Sequence, residues 1–192
     1  MPTPSPAPDV TGVLLAAGHA RRYGSDKRRL PWPGGPTLME AALRPLRAAC
    51  VRVVVVLPPG DAWGLRICRA HGVEIAWSFN RRAGLAASLG AALPLARDSA
   101  ALVVALADMG DVQPASIQAL ITHWRQQPGQ PVLPTHHGQP GNPRLIPSAL
   151  YPALHGLHGD DGVRQAIAWP RARRLEVADA GVLVDLDVPA SS

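Results

Sequence analysis

Three short runs are almost wholly apolar: "VTGVLLA" at 10–16, "VRVVVVL" at 51–57 and "ALVVALA" at 101–107. Each stops at a Gly, Pro or Asp cluster. Runs of this length, apolar at successive positions, suit strands buried on both faces, as in a parallel sheet, and not strands with one wet face. Between them lie stretches with helical spacing. Thr37–Ala49 is one, with Pro45 expected to kink or break it. Asp61–His71 is another, with Asp61 as N-cap and Gly72 as C-cap. Leu85–Arg97 follows a third strand at 73–77, and Pro114 opens a helix reaching about Gln126. Short strands are expected at 131–134 and 144–147, and short helices around 148–155 and 162–168. "RRLEVA" and "VLVDLD" are expected as closing strands. The alternation predicts an α/β fold: a Rossmann-like, doubly wound, mostly parallel sheet flanked by helices.

The 192 residues suit a single domain at 10–192, preceded by a disordered tail at 1–9, "MPTPSPAPD". That opening lacks the basic and apolar regions of a secretory signal. No apolar run is long enough to cross a membrane. The two cysteines, Cys50 and Cys68, have no metal or redox spacing, so reduced thiols in a cytoplasmic protein are expected. The net charge of +5 comes mostly from arginine. A basic balance can serve nucleic acid, an anionic membrane or phosphorylated small ligands. Aromatics are not interleaved with the basic residues and no DNA-binding motif is present, so nucleic acid is disfavoured.

In a doubly wound sheet, ligands sit beyond the carboxyl ends of the strands. The loops at 17–36, 78–84, 108–113 and 185–189 should therefore converge. The first holds Gly18, Gly24 and five cations: Arg21, Arg22, Lys27, Arg28 and Arg29. Its glycines permit positive φ and close backbone approach, and its charges would meet phosphates. It is neither GxxxxGK[ST] nor GxGxxG. Asp108 is the first polar residue after a buried strand, where a carboxylate either binds Mg²⁺ or caps a turn. Asp111 reads as the capping residue. Asp185 and Asp187 share one side of the chain, and one of them could be a second metal ligand. The seven histidines, His136 and His137 among them, have no zinc spacing.

"LAAGHARRYGSDK" (15–27) resembles the LAAGxSxRxGxxK opening of the MobA-like nucleotidyltransferases, and in particular their molybdenum-cofactor cytidylyltransferase branch. In order, "NRRAGLAASL" (80–89), "LADMGDV" (106–112), "GQPGNPRL" (138–145), "GDDGVR" (159–164) and "DLDVP" (185–189) resemble further motifs of that branch. The resemblance implies a sheet of the nucleotidyltransferase, GT-A-like kind. It also implies a reaction in which magnesium-bound CTP (or its manganese form) gives CMP to the phosphate of a molybdopterin-type cofactor and releases pyrophosphate. Leu15, Ala16, Ala17 and Gly18 would pass beneath the nucleotide. Arg22 and Lys27 would contact the triphosphate, and Asn80, Gly84 and Ser88 would line the nucleotide. Asp108 would be the principal metal carboxylate and Asp187 the second. Asn142, Asp160 and Arg164 would face the acceptor, and a molybdoenzyme could receive the product. Arg21, Arg28 and Arg29 are expected to be solvated neighbours.

The chain departs from the pattern at Ala20, at Gly110 and at Asn142, where the branch has Ser, Pro and His, and in a short C-terminus. Gly110 is expected to loosen the turn after Asp108. GTP as donor, a sugar or polyol phosphate as acceptor, and an accessory cofactor-binding role are the competing readings.

Overall fold

The computed structural model describes residues 9–18, 26–79, 84–155 and 167–186. Four parallel strands form the centre: β1 (Val10–Leu15), β2 (Arg52–Leu57), β3 (Glu74–Trp77) and β4 (Ala101–Leu106). The sheet continues through β5 (Val132–His136), the short β6 (Gln139–Pro140) and β7 (Arg144–Pro147). Its order is β3-β2-β1-β4-β7-β5-β6, and β8 (Arg173–Glu176) pairs with β5 in parallel. β7 runs antiparallel to both neighbours, β4 and β5. The expected mostly parallel sheet is therefore present, with an antiparallel insertion.

The apolar runs form strands because both faces are covered. Alternate residues of β1 enter opposite cores: Val10 and Leu14 on one side, Val13 and Leu15 on the other. Helices α1 (Leu38–Ala49), α2 (Ala62–His71) and α4 (Pro114–Gln126) contribute to the first core. Helices α3 (Gly84–Ala96) and α5 (Tyr151–Leu154) contribute to the second. Helix α1 begins at a capping box: Glu40 N–H donates to Thr37 Oγ1, and Thr37 N–H donates back to Glu40 Oε2. Pro45 does not break it. Leu43 and Leu46 on either side are fully buried, and that packing outweighs the missing backbone donor. Asp61 and Gly72 cap α2 as expected, Gly72 in the left-handed region at φ 63°. Helix α4 begins at Pro114.

The expected strand over "VLVDLD" does not form. Ala180–Leu183 is a 3₁₀ turn with Asp179 as N-cap, and 184–186 pair with no strand. Its backbone groups go to loops instead: Val182 O accepts from Asn142 N–H at 2.9 Å, and Leu186 N–H donates to Asp108 O at 3.0 Å. Most of the helix expected at 162–168 lies outside the described residues. Among the described residues, no helix is long and apolar enough to cross a membrane.

The strand order places β2 and β3 on one side of β1, and β4 on the other. The loops after β1 and β4 thus flank the point where strand order reverses, the crevice in which such sheets bind ligands.

Candidate active site

At the crevice, β1 runs out into Ala16, Ala17 and Gly18. Ala16 N–H extends the sheet by donating to Val56 O at 3.0 Å, and Leu15 O accepts from Ala107 N–H at 3.2 Å. Ala17 is buried in the core shared with Ala86 and Leu89 of α3. Gly18 is exposed, and a Cβ built there would meet nothing within 4 Å. Gly18 therefore provides open space above the backbone and does not use the positive φ that its glycine would permit. Gly24 and Arg22 lie outside the described residues.

The loop returns at a 3₁₀ turn, Lys27–Arg29, capped by Asp26. Lys27 Nζ donates to Asp108 Oδ2 at 2.8 Å and to Leu186 O at 3.3 Å. Lys27 and Asp108 side chains are 22% and 24% exposed, so the pair is screened from bulk water but still reachable. Three of the four loops expected to converge meet here: the β1 loop through Lys27, the β4 loop through Asp108 and the C-terminal segment through Leu186. Asp187 follows Leu186 directly but lies outside the described residues, and Asp185 is exposed. The fourth loop, 78–84, leads into α3, where the buried Ser88 Oγ donates to Gly84 O at 3.4 Å and lies 3.5 Å from Ser78 Oγ. Gly84 adopts φ 71°, which a side chain would strain. Asn80, Asp160 and Arg164 are outside the described residues.

Asn142 is half-buried and precedes Pro143 through a cis peptide bond. Its backbone is fastened to the 3₁₀ turn at Val182. A Cβ on Gly141 would strike Val182 O, and one on Gly181 would come within 2.5 Å of the Asp111 backbone. These two glycines let the C-terminal segment lie against the loops after β6 and β4.

Gly110 sits in close packing: a Cβ there would come 2.7 Å from Trp32 Cε2 and 2.9 Å from Leu38 Cδ1, so the indole is packed against the backbone. Asp111 is exposed. At the start of α4, Asp179 Oδ2 accepts from Gln113 N–H at 2.9 Å and Ser116 Oγ–H at 2.6 Å. Arg28 is not solvated. Its side chain is 13% exposed, and it is bound to Asp26, Asp61 and the carbonyl of Ala16. Burial favours loss of its proton, but hydrogen bonding and charge from Asp26, then Asp61, hold its pKa above the ordinary value. In turn, burial would raise the Asp26 carboxyl, and the opposing hydrogen bonds and charge of Arg28, with Arg29 adding, bring it below the usual carboxylate range. Arg29 remains largely exposed, over the Trp63 ring at 5.1 Å. Composition alone could not separate these arginines; the signal was Asp26 immediately ahead of the basic run, offering a local acceptor.

A cavity of about 340 Å³ adjoins this knot, lined by Arg28, Arg29 and residues 58–63. It does not include Lys27 or Asp108. Cys68 lies in the core and the half-buried Cys50 packs against it, burial pushing the Cys50 thiol up to about 12 and the Cys68 thiol up to about 11. His136 directs Nδ1 to Val177 O at 2.9 Å. Among the described residues no three His, Cys, Asp or Glu side chains gather as a metal cluster.

The chain is 24% identical over 178 residues to molybdenum cofactor cytidylyltransferase of Escherichia coli, covering 92% of this chain and 90% of that protein. It is 35% identical over 134 residues to a probable molybdenum cofactor guanylyltransferase of Chloroflexus aggregans, covering 69% of this chain and 61% of the relative. Among solved structures it resembles Rv0371c of Mycobacterium tuberculosis with a TM-score of 0.74 and 26% identity, covering 94% of both chains. That protein has also been solved in complex with manganese. Residues 12–177, running from β1 past β8, match the MobA-like NTP transferase domain. A basic loop closing on an acid at the switch point, set in a chain matched along nearly its whole length, makes this protein a nucleotidyltransferase of the MobA-like NTP transferase family.

Proposed function

We propose that the protein transfers CMP from CTP to the phosphate of a molybdenum-bearing molybdopterin cofactor and releases pyrophosphate. The observation that carries this reading is the meeting of Lys27, Asp108 and Leu186 at the switch point, with the Lys27 amine 2.8 Å from the Asp108 carboxylate. The donor would lie over Leu15–Gly18, where the exposed Gly18 leaves room, with Gly84, Ser88 and Asn80 along its nucleoside. An acceptor phosphate oxygen attacks the α-phosphorus in line. A new P–O bond forms as the bond to the β-phosphate breaks, and pyrophosphate leaves with its electrons. The attacking phosphate is already ionised, so little proton transfer is required of side chains. The enzyme's part is to position the phosphates and neutralise their charge. Lys27, with Arg22, supplies that positive charge. Asn142, Asp160 and Arg164 are assigned to the acceptor side.

Asp108 offers hard oxygen donors beside the site, which suits Mg²⁺ or Mn²⁺, and Asp187 is its proposed companion. Without a protein cluster among the described residues, the rest of the shell falls to substrate phosphates and water. Such an ion, when bound, would neutralise charge on the triphosphate.

Cytidylyl over guanylyl transfer is supported by the Escherichia coli relative and by Ala17. Its buried methyl stands where guanylyl-transferring relatives carry Gly, and it packs with α3 at the edge of the nucleotide path. The test is pyrophosphate release with Mg²⁺, each NTP in turn, and molybdopterin or its molybdenum form. Release with CTP alone is expected, and Ala17→Gly should raise the rate with GTP relative to CTP. Release with GTP alone would overturn the base assignment, and release with neither would move the protein to an accessory, cofactor-binding role.

A further inference from the structure

Arg28 neighbours Lys27 in the same turn but points into the protein. Nε–H and Nη2–H donate to the two oxygens of Asp26 at 2.8 and 2.7 Å. Nη1–H donates to Ala16 O at 2.8 Å, and the same nitrogen lies 2.7 Å from Asp61 Oδ2. Asp61 is itself engaged, its Oδ1 accepting from Gly64 N–H at 2.9 Å. One guanidinium thus joins three pieces of the fold: the cap of the turn that carries Lys27, the end of β1, and the N-cap of α2. The backbone bonds of the segment run elsewhere, Leu38 N–H to Leu30 O at 2.9 Å holding it to α1. Arg28 supplies its side-chain hydrogen bond to β1.

Burying an arginine with two carboxylates is a poor way to gain stability, because desolvation offsets the attraction. What the planar fork does supply is fixed geometry, since its donors point in set directions. The geometry it fixes here is the separation between the Ala16 carbonyl and the turn from which the Lys27 amine reaches Asp108. We propose that Arg28 is a positioning residue for nucleotidyl transfer, its buried tie to Ala16, Asp26 and Asp61 holding Lys27 at the reach required by a bound triphosphate. This rests on the reading of Lys27 as a triphosphate contact. A misplacement of about 1 Å in such a contact can cost on the order of 100-fold in rate.

The experiment measures steady-state pyrophosphate release from Mg-CTP and the molybdenum cofactor for wild type, Arg28→Met, Arg28→Lys and Asp61→Asn. Leu120→Ala, in the α4 core, serves as a variant destabilised away from the site. All are assayed well below their melting temperatures, with folding checked by circular dichroism. Arg28→Met should lower kcat on the order of 10- to 100-fold while KM for CTP moves less than about threefold. Arg28→Lys should recover little, lacking the fork, and Asp61→Asn should lose kcat severalfold. Leu120→Ala should melt lower yet keep wild-type kcat. If Arg28→Met is unfolded, Arg28→Lys and Asp61→Asn carry the test alone. Wild-type kcat in the folded Arg28 variants would overturn the positioning role and leave the assigned reaction standing. An equal fall of kcat in Leu120→Ala would reduce Arg28 to a fold-stabilising residue. No release by wild type with any NTP would remove the assigned reaction and this role together.

Discussion

The two halves of the sheet are held in different ways. The β3-β2-β1-β4 half is parallel, and its strands β1, β2 and β4 are buried on both faces beneath helices. The β7-β5-β8 half sends Val132 and Leu145 into the first core and Leu133 and Ile146 into the second, and with the 180–186 segment against it adds polar contacts between residues far apart in sequence. Asp179 reaches Gln113 and Ser116, Val182 meets Asn142, and Gly141 and Gly181 admit close backbone contact. Non-directional burial builds a stable platform, whereas directional contacts bring a chosen carbonyl or carboxylate to the crevice. The proposed active site lies on the seam, with Lys27 from the first half, Asp108 just past the boundary strand, and Leu186 from the second.

The sharpest way to break this division is at the seam. Lys27→Ala should reduce pyrophosphate release on the order of 100-fold or more, about 3 kcal/mol of barrier, with an unchanged far-ultraviolet spectrum. Wild-type turnover would mean that the basic loop serves something other than the triphosphate. Next comes Gly141→Ala, which forces a Cβ against Val182 O and should cost about 3 kcal/mol in denaturant unfolding. The same substitution at Gly12, whose Cβ would meet only side-chain atoms of Leu46 and Cys50 at 3.1–3.3 Å, should cost less. Equal losses would erase the contrast between yielding side-chain packing and unyielding backbone contact. Smaller again, Asp179→Ala removes the acceptor for Gln113, Ser116 and Gly181, and should cost about 2 kcal/mol. A null effect in a melting experiment would show that the second half does not depend on that polar anchor.

The parallel half was legible before the structure because its signals are local. Apolar runs, Asp61 and Gly72 as caps, and Pro114 at a helix start each act within a few residues. Asp108 was legible for the same reason, as the first polar residue after a buried strand. Other features were not. "VLVDLD" has the composition of a strand, but no neighbouring strand receives it, so its backbone bonds go to Asn142 and Asp108. Pro45 has the signature of a break, yet burial of its neighbours carries the helix through.

By itself the sequence determined the α/β class, the buried central strands, the order of motifs that assigns the family, and the pairing of a basic loop with an acid at a strand end. Those follow from periodicity and local chemistry, which travel with the residues. Only the tertiary structure decided which cations face the crevice and which are built into the fold. Lys27 and Arg28 are adjacent and alike in charge. A short turn sends one amine to Asp108 and buries the other side chain against Ala16 and Asp61. Asp26 ahead of the basic run is a local sign of that choice, but the rest of it depends on where Ala16 and Asp61, from distant segments, come to lie.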